Sequence, residues 1–210
     1  MRTQIPTLQC TIYGDRTDRF TKSFKQKVAF RAIKHLNFDK NKNSIAENYI
    51  LIQAKKTDLN SVLKLNQKFL PAVGDSDLDE MNHFLEISSY FKIIKVEEKP
   101  IGFLIGLLPG LNYGSENYKW FSTRYNSFIY VDRIVIDKKN QNKGFGNFFY
   151  DDLKATFFKK TSIITCEVNI KPYNKQSIDF HKKYGFKEVG TQETENGKKT
   201  VSYMTYQIDK

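Results

Sequence analysis

Cysteine is nearly absent from this 210-residue chain, which holds only Cys10 and Cys166. The two stand far apart, with no C-x-x-C spacing and no secretory leader, so neither a disulfide framework nor a zinc site is indicated. No metal is expected, and a reducing cytoplasm is the expected setting. Long apolar runs are also missing. The longest, IGFLIGLLPG from Ile101, is too short and too rich in glycine to span a bilayer and reads as a buried strand. A soluble protein without a transmembrane segment is expected. No internal repeat or low-complexity linker is present, and the length suits one moderate domain with an appendage.

Acidic residues are outnumbered, 23 Asp and Glu against 34 Lys and Arg, for a net charge of +11. The excess sits at the front. Residues 1–47 hold ten Lys or Arg against four Asp or Glu, net +6, which leaves +5 for residues 48–210. Within them Phe20, Phe24, Val28, Ala32 and Leu36 recur at helical spacing among basic residues. This basic extension can meet nucleic acid, a membrane surface or an acidic partner. The commoner use of such a charge run is a solvated face or a helix packed on its own domain.

What the chain does contain is a glycine loop between a strand and a helix. The strand FIYVDRIVI, Phe128 to Ile136, is rich in β-branched and aromatic residues, and GNFFYDDLKATFFKK from Gly146 reads as a helix. Between them lies QNKGFG, Gln141 to Gly146. A helix start exposes unpaired N–H groups and a positive dipole end, so this turn reads as an anion cradle fit for a pyrophosphate. It is neither a mononucleotide P-loop nor a dinucleotide fingerprint. Gly144 and Gly146 are separated only by Phe145, and Phe149 stands where the fingerprint needs a small residue.

A second strand, SIITCEVN, Ser162 to Asn169, repeats the pattern. Pro172 suits a first helical turn, and a helix bearing Asn174, Ser177, Phe180, His181 and Tyr184 closes at Gly185 before Phe186 returns to the sheet. Together these segments resemble the GNAT superfamily of acetyl-CoA-dependent N-acetyltransferases. Its motif A is [RQ]-x-x-G-x-[GA] and its motif B is N-x-x-[AS]-x-x-[FL]-Y-x-x-x-G-F. The likeness is closer to a bacterial subgroup in which YVDRIV, the glycine loop, CEVN and S-x-x-FH-x-x-x-GF occur together. It covers roughly residues 48–208 and says nothing of residues 1–47.

The remaining segments fall in the order this fold requires, an α/β architecture with a central mixed sheet and helices on both faces. NYILIQA from Asn48 is a first strand. Thr57 and Asp58 can cap a helix through Phe69, and Leu78 to Ser88 is a second helix with Asp75, Ser76 and Asp77 as capping candidates. SYFKIIKVE and IGFLIGLL form a hairpin across EKP, and Phe186 to Gly190 and Thr200 to Ile208 close the sheet.

The resemblance implies that the motif A and motif B strands are parallel and splay apart to admit the pantetheine arm of acetyl-CoA. The main chain of Ile134, Val135 and Ile136 would pair with it. Gln141, Asn142, Lys143, Gly144, Phe145, Gly146 and Asn147 would hold the pyrophosphate, and Asn169 and Asn174 the pantetheine side. Asn169 equally suits a strand end, and Asn174 a helix start. The implied activity is transfer of an acetyl group to a primary amine by direct attack.

That chemistry needs a base for the amine and an acid for the leaving thiolate. His181 stands where motif B usually has tyrosine, and a histidine of ordinary pKa near 6.5 is a competent acid for a thiol. It equally suits packing, and Tyr184 is the reserve. For the base, the carboxylates nearest the cleft are Asp132 and Glu167. Asp132 is expected to alternate with Tyr130 and Ile134 on one face, with Arg133 pointing to the other, so that an ion pair between these neighbours is not the simple explanation, and structural pairing with another partner suits Asp132 as well as catalysis does. The segment Leu111 to Tyr125 carries Tyr113, Tyr118, Trp120, Phe121 and Tyr125. It is expected as a pocket wall or lid, with Glu116 facing the amine, and the other reading is a loop packed on itself over the sheet edge. A CoA-binding protein without catalysis, and a nucleic-acid or ribosome-associated protein, are the alternatives. The acceptor, the acyl-chain length and the oligomeric state, a homodimer included, stay open.

Overall fold

A computed structural model gives the protein over residues 49–194 and 196–208. The basic extension read at residues 1–47 lies outside the described residues. Seven strands form one sheet: β1 (Tyr49–Gln53), β2 (Tyr90–Val96), β3 (Lys99–Leu107), β4 (Phe128–Ile136), β5 (Ile163–Lys171), β6 (Lys187–Thr194) and β7 (Lys199–Gln207). Their spatial order is β1-β2-β3-β4-β5-β7-β6. Every neighbouring pair is antiparallel except β4 with β5.

Five α-helices cover this sheet: α1 (Leu59–Gln67), α2 (Leu78–Ile87), α3 (Glu116–Ser122), α4 (Phe145–Phe157) and α5 (Lys175–Tyr184). On one face Leu59, Val62 and Leu65 of α1, Met81 and Phe84 of α2, and Tyr118 and Phe121 of α3 pack on Phe91, Phe103, Phe128 and Tyr130. On the other, Phe149, Tyr150 and Leu153 of α4 and Ile178 of α5 pack on Leu104, Ile129, Ile164 and Met204. A parallel pair needs a crossover, and α4 supplies it between β4 and β5. No helix among the described residues is long and apolar enough to cross a membrane.

Local chemistry explains most boundaries. Asp77 caps α2 by accepting from the Glu80 N–H at 2.8 Å, one of the three capping candidates in the sequence. Asp58 does not cap α1 with its side chain. Its carboxylate accepts from the Lys55 N–H at 2.9 Å and pairs with Lys95 Nζ at 2.8 Å. Glu97 and Glu98 take φ of 47° and 64°, as a two-residue turn between β2 and β3 requires. Pro172 stands before α5 rather than in its first turn, and Asn174 is the N-cap.

One irregularity in β4 shapes the centre of the sheet. Opposite β3, Ile105 pairs with Arg133 and Gly106 with Val131, so Asp132 is an extra residue on β4. Such a bulge bends the strand and breaks its alternation. Tyr130 and Val135 therefore lie in the core of one face, while Val131, Ile134 and Ile136 pack on the other. The expected grouping of Ile134 with Tyr130 is corrected on this point, while Asp132 stays on the Tyr130 side, where Tyr113 bonds it. Past the bulge β4 has no β5 partner, because their pairing ends at Val131 and Cys166.

Helix α5 is seated on α4 by a missing side chain. A Cβ on Gly146 would stand 2.7 Å from the Phe180 ring, which itself stacks on Tyr150 at 5.8 Å. Gly146 thus serves close helix packing, whatever else it does at the loop. Replacing Gly146 with Ala is expected to lower stability by about 1–3 kcal/mol, read from urea unfolding. Adding Phe180→Leu is expected to recover most of the loss. An unchanged midpoint in the single variant would mean that Phe180 yields freely.

Candidate active site

Where β4 and β5 part, a cavity of about 300 Å³ opens. It gathers Tyr113, Asp132, Ile134, Glu167, Asn169 and His181, six of the residues singled out in the sequence. The edge of β4 facing it is unpaired in a defined pattern. The Asp137 N–H donates to the Ile101 carbonyl at 2.8 Å, which makes Gly102 and Ile136 a non-hydrogen-bonded pair. The main-chain groups of Ile136, and of Ile134 two residues back, consequently point away from β3 towards the gap. Those of Val135 point to β3, so Val135 contributes its buried side chain instead.

The glycine loop lies at the open end of this gap. Gly144 has φ 88° and precedes α4, which starts at Phe145, one residue earlier than the sequence pattern suggests. Asn142 is also left-handed, at φ 61°. No side chain caps α4, and its first main-chain bond is Phe148 N–H to Gly144 carbonyl at 3.0 Å. The N–H groups of Phe145, Gly146 and Asn147 are thereby left for an anion. Gln141 ties the loop down, donating to the Ile136 carbonyl at 3.0 Å and accepting from Gln176 of α5 at 2.9 Å. Lys143 stays exposed, its Nζ donating to Asn140 at 3.2 Å.

Asp132 is not a free base. Its Oδ1 accepts from Arg133 Nε at 2.7 Å and its Oδ2 from the Tyr113 hydroxyl at 2.7 Å. The expectation that these neighbours point to opposite sides fails at the bulge, where the two side chains pair. Arg133 goes on to donate to Asn66 Oδ1 at 3.2 Å and lies over the Phe84 ring at 4.7 Å. Burial, and then the Asp132 charge, push the Tyr113 hydroxyl well above its ordinary pKa.

Glu167 differs in every respect. Its Oε2 is buried without a hydrogen-bond partner, while Tyr130 and Asn117 approach the carboxyl. Burial first, and the Asp132 charge second, push it up to about 8. A carboxyl of that acidity exchanges protons near neutral pH, as a general base must.

His181 is locked rather than poised. Its Nδ1 lies 2.7 Å from the Ser177 carbonyl, which can only accept, so the ring proton is on Nδ1. Nε2 then accepts from the Tyr150 hydroxyl at 2.7 Å. Burial lowers the imidazole to about 4, which leaves it neutral. Tyr184 is outside the cavity, its hydroxyl donating to Asp151 of α4 at 2.8 Å and its ring set against Tyr150, Phe186 and Tyr206. Asn174 uses its Oδ1 to cap α5 through the Ser177 N–H at 3.1 Å. Asn169 reaches across the cavity roof to the Pro71 carbonyl at 3.4 Å.

The aromatic segment is mostly core. Its middle folds into α3, where the Tyr118 hydroxyl donates to the Leu108 carbonyl at 2.8 Å and Trp120 stacks on Tyr203 at 4.1 Å. Tyr125 leans on Phe121. Tyr113 alone of the five reaches the cavity, and Glu116 lines an adjoining concavity. Sequence reasoning misses Asn117, Arg133 and the connection from Pro71 to Asp75, all in the cavity wall. A Pro- and Gly-bearing link between two helices is the available signal for the last, but its polar residues read first as helix caps. Among the described residues no group of His, Cys, Asp and Glu is placed to hold a metal ion.

Comparison with known proteins agrees with this geometry. Residues 59–186 match the Acetyltransferase (GNAT) family. Ard1 from Thermoplasma volcanium is similar in structure with a TM-score of 0.64 and 15% identity, over 77% of this chain and 99% of that one. The ribosomal-protein-S18-alanine N-acetyltransferase from Escherichia coli has a TM-score of 0.58 and 15% identity, over 78% and 96%. Naa20 of Chaetomium thermophilum, solved with a bisubstrate analogue, has a TM-score of 0.61 and 14% identity, over 76% and 86%. No curated protein matches the chain in sequence. With its parted parallel strands, its uncapped helix start and a family match over more than half its length, the chain belongs to the GNAT acetyltransferase family.

Proposed function

We propose that the protein moves the acetyl group of acetyl-CoA to a primary amine by direct attack. The observation that carries this reading is Glu167, a buried carboxyl with an unpartnered oxygen, raised to about 8, in the wall where two parallel strands part. The residues present suit the donor. The uncapped start of α4, with Gln141 to Asn147, suits a pyrophosphate. The main chain of Ile134 and the N–H of Ile136, which have no partner on β5, suit an arm bearing amides, with Asn169 beside it, while the Ile136 carbonyl is taken by Gln141. Acetyl-CoA supplies an acyl group already activated as a thioester. That two structural neighbours are named as N-acetyltransferase or solved with a bisubstrate analogue supports an amine acceptor.

Glu167 takes the proton from the acceptor ammonium. Asp132 stays paired with Arg133 and acts through its charge, which raises the proton affinity of Glu167 and so makes the ionised carboxylate a stronger base. His181 is a positioning residue. Neutral and bonded through both nitrogens, it fixes the Tyr150 hydroxyl and joins α5 to α4. It is not the acid for the thiolate.

Calorimetric titration with acetyl-CoA is expected to show saturable binding, weakened about tenfold by Lys143→Glu, which reverses a loop charge without touching the core. No saturable binding by the folded protein would sink the reading. In turnover assays over an amine panel, kcat/KM is expected to rise as pH passes about 8, where Glu167 loses its proton. Glu167→Gln is expected to lower kcat by about 10²- to 10⁴-fold with acetyl-CoA affinity retained. A Gln variant as active as the parent would remove Glu167 from this role.

His181 also sets a stability prediction. Its pKa is lowered to about 4 in the fold, so between that value and the ordinary 6.5 the unfolded chain binds more protons. The contribution is full above pH 6.5 and is lost as pH falls towards 4. Urea unfolding is expected to show this loss, and His181→Gln to flatten it. An equal acid slope in the variant would place the titration elsewhere.

A further inference from the structure

The cavity wall is acidic in a chain whose net charge is +11. Asp75, Glu80, Asp132 and Glu167 line it, each from a different segment. The concavity adjoining it shares Thr194 and adds Glu116 and Glu193, one on α3 and one on β6. Asn117, next to Glu116, lies in the cavity wall and approaches the Glu167 carboxyl, which makes one polar path from the buried base to the outer pair. The cations in the wall are engaged. Arg133 is held by Asp132 and Asn66, and Lys199 has a partner of its own. Glu116 and Glu193 form no ion pair among the described residues, and both are exposed.

The independent pointer to a ligand is at the inner end. Glu167 Oε2 is shut away from solvent and accepts no hydrogen bond, although it faces a cavity large enough for a small molecule. A buried acceptor left in that state beside a cavity is suited to a donor brought by a ligand. An ammonium supplies three donors. The roof above limits its shape, because Asn169 donates to the Pro71 carbonyl and Asn66 to the Gly74 carbonyl at 3.0 Å, which ties the α1–α2 connection down over the sheet. The cavity of about 300 Å³ beneath it suits a small acceptor.

Resting on the amine transfer proposed above, we infer that the acceptor is an aliphatic di- or polyamine. One nitrogen reaches Glu167 and a second, charged nitrogen is held at Glu116 and Glu193. The arrangement separates the two substrates by charge. The donor's phosphates meet the start of α4 and Lys143, and the acceptor's cations meet carboxylates in the adjoining concavity. An exposed ion pair contributes about two- to fivefold in affinity, so two together give a preference of about tenfold.

The test compares cadaverine with n-pentylamine, equal in chain length and different by one charge, in thiol-release assays on the full chain. Cadaverine is expected to have about tenfold higher kcat/KM at low salt, with the advantage shrinking as salt is raised. The Glu116→Gln, Glu193→Gln double variant is expected to abolish the preference, while acetyl-CoA titration of that variant matches the parent. Equal use of both amines, or a preference that survives the double variant, overturns the inference. Should neither amine be turned over, cadaverine titrated into the CoA-saturated protein decides it: saturable, salt-sensitive heat lost in the double variant supports it, and its absence overturns it. Failure of acetyl-CoA itself to bind is a separate result and counts against the transfer reaction.

Discussion

The extra residue in β4 is the constraint on which the rest of this structure depends. Asp132 has no counterpart on β3, so the strand bends there and its main chain leaves β5 after Val131. Two parallel strands that would otherwise continue their ladder open into a cavity instead. At the bulge Asp132 and Arg133 also form a buried ion pair at 2.7 Å. Removing two charges from water is expensive. This pair is compensated by further bonds from Tyr113 to Asp132 and from Arg133 to Asn66. Its value is geometric, because it ties the bent strand to α1 and to the aromatic segment at once.

Three carboxyl or imidazole groups in one wall acquire different characters from their neighbours. Asp132 has the Arg133 guanidinium bonded to one carboxylate oxygen and the Tyr113 hydroxyl to the other. Glu167, with no cation and with the Asp132 charge nearby, holds its proton to about 8. His181, buried between α5 and α4, gives up its proton near 4 and becomes a neutral strut. Environment thus divides roles that residue type alone would have left interchangeable. The loop before α4 offers unpaired N–H groups and a lysine, and the concavity that adjoins the cavity offers exposed carboxylates.

The residues whose roles differ from expectation share a cause. Tyr184 and His181 are three apart on one helix and look interchangeable in sequence, yet one packs on the surface between α4 and α5 and the other faces the cavity. A spacing of three gives nearly the same face, and only the neighbouring helix decides which side chain is enclosed. Trp120, Tyr118 and Tyr125 have no common period because α3 is short and the segment wraps around it, so a core contribution resembles a binding loop. Strict alternation puts Asp132 and Arg133 on opposite faces, and a bulge is not visible in strand composition. Gly146 reads as a loop residue, and its closest demand, the Phe180 ring, is thirty-four residues away in sequence.

Periodicity and turn chemistry in the sequence were enough for the seven strands, four of the five helices among the described residues, and the strand–loop–helix junction at Gln141 to Gly146, while α3 is missed because its aromatic residues show no helical period. These are set by neighbours in the chain, through alternation, caps and φ-permissive residues, and so can be read from it. The pairing that makes one sheet of two antiparallel blocks joined at a parallel seam agrees with the family pattern and is seen in the register of β4 with β5. Only the tertiary structure decided which carboxyl holds its proton to about 8. Proton affinity depends on burial and on charges brought from other segments, here Asp132 on one strand against Glu167 on the next, and no local spacing carries that information.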